Sequence, residues 1–222
     1  MKKILLTILG VTGIGLVGLL TAAAMQPDTV HVERQVTVAA TAADVAAFAG
    51  DLKKVNEWSP WDEKDPNVKR EYSSKTTGVG AWYAWEGNED VGRGKQTIKS
   101  EEPGKVVHTL EFFEPFESIA ESTIAYREQG GETTVTWGFD QTPNFVFKLV
   151  LVFRDMDAAL GPEFEKGLNL LKPKVEKAAA DRLAAANKKQ AEAAAAAAAA
   201  KAAAALEVAA AGDEPAPADK PN

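Results

Sequence analysis

Cysteine is absent from the 222-residue chain, which excludes disulfides, thiolate metal ligands, a cysteine nucleophile and a lipid-modified cysteine anchor. Histidine occurs only twice, at His31 and His108, with no His-x-x-His or HExxH spacing, so the pattern offers no zinc site and no metal is expected. Basic charge is outweighed: 25 Lys and Arg stand against 32 Asp and Glu, for a net charge of −7. No basic stripe is present to attract phosphates, so nucleic acid is not an expected partner. No GxSxG elbow marks a serine nucleophile, and Gly92-Arg93-Gly94-Lys95 lacks the spacing of a phosphate loop and reads as a turn. Aromatic residues are missing from both ends. All five Trp, three Tyr and nine Phe lie between Phe48 and Phe164, which places a single core there.

What is present begins with an apolar run. Met1-Lys2-Lys3 precedes Ile4 to Met25, 22 residues without a charge. As a helix these span roughly 33 Å, against a bilayer core of about 30 Å. The two lysines favour the cytoplasmic side, which makes the expected localisation membrane-anchored through residues 4–25 with the domain extracytoplasmic. A cleaved signal peptide competes with this reading, since Ala22-Ala23-Ala24 supplies small residues for a peptidase. Cleavage would leave a secreted or periplasmic domain. Against it, the run exceeds the apolar stretch of about 7–15 residues usual in signal peptides.

From Val30 the pattern alternates, with Val32, Arg34, Val36 and Val38 on one strand face and His31, Glu33, Gln35 and Thr37 on the other. Thr41-Ala42-Ala43-Asp44 reads as a capping box, and Gly50-Asp51 splits the following segment into two short helices, the second capped by Asp51. Trp58-Ser59-Pro60-Trp61 ends it, because Pro60 drives Ser59 from helical geometry. Six strands are predicted next, over about 68–73, 80–86, 93–101, 105–113, 117–127 and 132–140, punctuated by Gly and Pro turns. Their short connections imply antiparallel pairing. A helical pattern follows Pro143, running through Phe147 and Leu151 to Leu160, Phe164, Leu168, Leu171 and Val175, with Pro162 expected to kink or restart it. A curved antiparallel sheet cannot close tightly on one helix, so a cavity is expected between them. The predicted class is α+β: a curved seven-stranded antiparallel sheet round a long C-terminal helix, with two short helices after the first strand.

The alanine-rich segment 178–211 reads as an exposed helical spacer, and 212–222, rich in Pro, Asp and Glu, as a disordered tail. The expected division is therefore anchor or signal peptide 1–29, cavity domain 30–177, helical extension 178–211 and tail 212–222.

Several stretches carry a family resemblance: Val32-Glu33-Arg34, Trp58-Ser59-Pro60-Trp61-Asp62, Gly80 to Gly87 with Trp85, and Val91-Gly92-Arg93-Gly94. Further on come Phe112-Phe113-Glu114-Pro115-Phe116, Thr134-Val135-Thr136-Trp137-Gly138-Phe139, and Met156-Asp157 through Gly161-Pro162 to Leu168. Together, over about 30–177, they resemble SRPBCC proteins of the START-like helix-grip superfamily, often called polyketide cyclase/dehydrase-like. The resemblance implies an internal ligand cavity. It leaves activity open, because the superfamily includes lipid carriers, receptors, cyclases and interaction partners. The implied partner is an apolar small molecule or lipid, with no cofactor and no catalytic residue indicated.

Candidate cavity or gate residues are Trp58, Trp61, Tyr83, Trp85, Phe112, Phe116, Trp137, Phe139, Met156 and Phe164, whose large apolar surfaces suit a ligand wall and equally suit core filling. Whether Tyr83 and Trp85 or Trp82 and Ala84 face inward is a one-residue register question. Asp62, Glu63 and Asp65 read as a solvated acidic loop. A cyclase or dehydratase activity would be favoured by convergence of Tyr83, Glu86, Arg93 or His108 in one pocket. A core without a void would favour a structural or interaction domain.

Overall fold

A computed structural model describes residues 2–211, with side chains from Gly10 to Ala205, so the tail expected over 212–222 lies outside the described residues. Helix α1 spans Lys2–Ala24 and is followed by strand β1, Val30–Val38. Among the described residues no helix is long and apolar enough to cross a membrane.

Two short helices follow, α2 (Ala42–Ala49) and α3 (Leu52–Glu57). The Thr41 side chain accepts from the Asp44 backbone N–H, and the Asp44 carboxylate accepts from the Thr41 backbone N–H, which is the predicted capping box. Asp51 caps α3 by accepting from the Lys53 backbone N–H at 2.9 Å. Pro60 opens a single 3-10 turn, Pro60–Glu63.

Strands β2 (Lys69–Tyr72), β3 (Trp82–Glu86), β4 (Arg93–Glu102), β5 (Lys105–Glu114), β6 (Ser118–Gln129) and β7 (Glu132–Gln141) come next. They join β1 in one seven-stranded antiparallel sheet of order β1-β7-β6-β5-β4-β3-β2. Strand β1 crosses to pair with β7, and every other pair is a hairpin between neighbours in sequence. The register places the α1–β1 connection and the β3–β4, β5–β6 and β7–α4 connections at one end of the sheet. The β2–β3, β4–β5 and β6–β7 turns lie at the other.

Helix α4 (Phe145–Leu151) crosses the first of these ends, with Asn144 at its N-cap. The long helix α5 (Met156–Ala211) then begins, its first turn capped by Asp155, whose carboxylate accepts from the backbone N–H of Asp157 and Ala158. The break between the two helices therefore falls at residues 152–155. Pro162 does not restart the helix: both Pro162 and Pro173 lie inside α5. Each withholds one backbone donor, at a cost of about 3 kcal/mol. Apolar burial along the helix offsets this, since Phe164, Leu168, Leu171 and Val175 are all buried, each contributing roughly 1.5–3 kcal/mol.

By internal contacts the chain forms two compact units, Met1–Lys177 and Ala178–Asn222. Within the second, side chains over 180–205 are exposed and Lys188 pairs with Glu192 one turn on.

The contact of α5 with the sheet depends on two glycines. A Cβ on Gly167 would meet the Trp137 ring at 2.6 Å and Pro60 at 3.2 Å, and one on Gly161 would meet the Arg34 guanidinium at 2.0 Å. Arg34 uses that space to reach α5, donating to both carboxylate oxygens of Asp157 at 2.8 and 3.0 Å and to Glu165 at 2.9 Å. Farther along, Lys172 donates to the Thr37 carbonyl, and the Ala39 backbone N–H donates to Glu176. The helix is thus held along the inner face of β1.

Gly167→Ala is expected to destabilise the full chain by about 1–3 kcal/mol through overpacking against Trp137. Gly138→Ala, whose added Cβ would meet nothing closer than 3.9 Å, is expected to change it far less. Thermal denaturation of both variants checks this; equal losses would show that closeness to Trp137 is not the controlling contact.

Candidate functional site

Between the sheet and α5 lies a cavity of about 400 Å³. Strand alternation builds its wall. Tyr83 and Trp85 on β3, Gln96 on β4, Leu110 and Phe112 on β5, Ser122 and Ile124 on β6, and Trp137, Phe139 and Gln141 on β7 all face it. The register question at β3 is therefore decided: Tyr83 and Trp85 point inward. From the other side come Val55 and Trp58, then Met156, Leu160 and Phe164 of α5. All ten sequence candidates line this one cavity.

Two aromatic clusters shape it. Trp137 stacks on Phe164, with centroids 4.2 Å apart and planes 7° from parallel, and takes the Trp58 ring edge-on at 4.9 Å. Its indole N–H donates to Ser122 Oγ at 2.9 Å. Trp58 is only 1% exposed, so it is a wall element packed on Trp137, whereas Trp61 is half-buried beneath the Lys64 ammonium. On the opposite flank Tyr72, Tyr83, Trp85 and Phe112 contact one another in sequence, at 5.7 to 5.9 Å between centroids. Gly94 makes room there, since a Cβ would meet the Trp85 ring at 2.4 Å.

The polar groups of the wall are few. Tyr83 donates its hydroxyl to Gln96 Oε1 at 3.1 Å, and burial pushes its pKa up, so it stays protonated. Arg70 pairs with Asp62, while its Nε is buried without a partner. Trp58 Nε1 is likewise buried with no acceptor. Arg70, Gln96, Leu110, Ser122 and Ile124 line the cavity without being among the sequence candidates, and Trp58 is a candidate for its ring and not for its N–H. Leu110 could have been found by counting two positions back from Phe112 on β5, whereas β4 and β6 carried no residue already placed inward from which to count.

The acidic loop is solvated at Asp62 and Glu63, whose side chains are 44% and 62% exposed, and buried only at Asp65. Asp62 pairs with Arg70 on β2 and Glu63 with Lys166 on α5, while Asp65 is buried and accepts from the backbone N–H of Asn67 and Asn88. It thereby anchors the β3–β4 turn, whose residues Glu89 to Gly92 meet Glu114, Pro115 and Phe116 of the β5–β6 turn around the cavity mouth. The mouth therefore opens at the end of the sheet that α1 enters.

The residues that would favour an enzyme do not converge. Tyr83 lines the cavity, whereas Glu86 and Arg93 do not, and Arg93 pairs with Glu114. His108 is fully buried on β5, register-paired with Ile98 and Ser122, and both ring nitrogens lack a hydrogen-bond partner. Burial lowers its pKa to about 4, and the Ser122 backbone opposes the shift without making a well-formed hydrogen bond. It is a neutral core histidine beside the cavity. His31 behaves oppositely: half-exposed, it is raised above its usual value by its hydrogen bond to Asp140.

The seven-stranded sheet gripping a long helix over a cavity defines the class, an α+β protein of the START-like helix-grip fold. Residues 29–176 match the model of the family described as polyketide cyclase / dehydrase and lipid transport, and the chain belongs to that family. Among solved structures it is similar to a protein from Chromobacterium violaceum, at 13% identity and a TM-score of 0.48 over 68% of this chain and 99% of that one. A START superfamily protein from Mycobacterium smegmatis gives 14% and 0.44, over 66% and 97%. The di-domain ARO/CYC StfQ from the steffimycin biosynthetic pathway gives 12% and 0.49, over 68% of this chain and 52% of that one. No curated protein sequence matches the chain.

Because His108 titrates near 4 in the fold and near 6.5 when unfolded, the unfolded state binds the extra proton between these values. Stability should fall as pH drops through that window, by about 3 kcal/mol in all. His31, with its raised folded value, has the opposite sign: its pairing stabilises below about 6.5 and fades as pH rises through the folded pKa. Urea unfolding at pH 7 and pH 4.5 should show a smaller acid loss for His108→Leu than for the parent; parallel losses would remove His108 as the source.

Proposed function

We propose that this protein is a membrane-tethered binding module that holds an apolar small molecule or lipid in the cavity between sheet and α5. The observation that carries the reading is the cavity itself. About 400 Å³ walled mainly by aromatic and aliphatic side chains falls within the size range of small-molecule sites, about 300–1,000 Å³. Membership of a family described by cyclase, dehydrase and lipid transport functions supports hydrophobic-ligand binding. The tether rests on the uncharged run Ile4–Met25 behind two lysines, and it places the cavity domain outside the cytoplasm.

The test is native mass spectrometry of the full chain released gently from membranes. A bound apolar mass is expected; a bare chain, persisting after incubation with membrane lipid extract, would overturn the carrier reading. Leu110→Trp narrows the cavity and should weaken binding of a fluorescent fatty acid about tenfold or more.

A further inference from the structure

Exposed apolar surface on the cavity domain is not scattered. Phe113, Phe116, Ile119, Phe145, Val146 and Phe153 are between 39% and 76% exposed. They lie on the β5–β6 turn and its flanks, on α4, and on the α4–α5 connection, all at the end of the sheet that carries the cavity mouth. Among the described large apolar side chains between β1 and the end of the cavity domain, the one other exposed case is Val79, at 68%, on the β2–β3 turn at the far end. Helix α4 buries none of its residues. A patch of this kind marks an interaction site rather than ordinary surface.

The same end receives α1. That helix packs against α4, and Lys148 of α4 donates to the Gln26 carbonyl at 3.2 Å and to Asp28 at 2.6 Å, pinning the connector to β1. Val11, Ile14, Leu16 and Val17 of α1 are 55% to 76% exposed, so its described stretch presents apolar side chains away from the face packed on α4. The apolar patch, the mouth and the helix thus share one end of the molecule. Phe116 and Phe147 join them, since each lines both the cavity and the adjacent surface groove.

We propose that this end is seated on the bilayer. Phe145, Val146 and Phe153 enter the lipid interface beside α1, and the cavity exchanges its ligand directly with the membrane through the mouth at Phe116. The inference rests on the tether reading above and adds a surface and a route to it. The charge at this end is mostly acidic, with Glu89, Asp90, Glu114 and Glu117 nearby, so seating proceeds by apolar insertion and not by attraction to anionic headgroups.

The absence of native cysteine makes the test direct. Phe145→Cys, Phe153→Cys and, at the far end, Val79→Cys are each made in the full chain, labelled with an environment-sensitive fluorophore and reconstituted in phosphatidylcholine vesicles. Labels at 145 and 153 should be quenched several-fold more by lipid-borne nitroxides than the label at 79, and less by aqueous iodide, with no dependence on salt. Equal iodide quenching at all three sites overturns the seating. So does shielding from iodide without lipid quenching, which would point to a second protein chain on the patch. Vesicle flotation separates the two readings: chains that float but fail the quenching test retain the tether and lose the seating, and chains that do not float lose both.

Discussion

The architecture depends on the space around one indole. Trp137 is stacked by Phe164 from α5, met edge-on by Trp58 from the end of α3, and hydrogen-bonded to Ser122 of β6. Gly167 leaves the gap into which its ring fits. Sheet, long helix and short-helix segment are therefore registered against one rigid planar group, which loses little conformational entropy when fixed. Beyond this contact sheet and helix leave between them the cavity of about 400 Å³. The Arg34 clamp on Asp157 and Glu165 performs the same task on the flank of β1. It too relies on a glycine, because a methyl group at position 161 would occupy the guanidinium's place.

The polarity of the cavity follows from how few charged groups reach it. Arg70 is neutralised by Asp62, and Tyr83 is kept protonated by burial and bonded to Gln96. His108, in the register beside Ser122, is kept neutral by the same desolvation. The other charged members of the lining, Glu89, Asp90 and Glu114, stand at its exposed rim.

Direction is built into the topology. An all-antiparallel sheet sends its hairpin turns alternately to opposite ends, and here the turns that surround the mouth lie where α1 arrives. The buried Asp65 braces that rim by holding the β3–β4 turn through the Asn88 backbone. Asp62 and Glu63 nearby stay solvent-accessible while pairing with Arg70 of β2 and Lys166 of α5.

The strand count, the two capped short helices, the long C-terminal helix and the aromatic character of the wall were all legible in the chain itself. Period-2 alternation, capping residues and Gly/Pro turns are local signals that neighbouring residues carry without help. The break at 152–155 was less legible, because an Asp155 cap resembles ordinary polar sequence, while Pro162 looked like a kink or restart although the helix runs on through it, packed on Trp137. What only the tertiary structure decided were relations between distant residues: that Tyr83 rather than Trp82 faces inward, that Gly161 and Gly167 are seats for Arg34 and Trp137, and that His108 is stripped of partners. Each depends on which strand lies beside which and on the volume left between sheet and helix. Such quantities arise when segments a hundred residues apart pack together, so no local pattern encodes them.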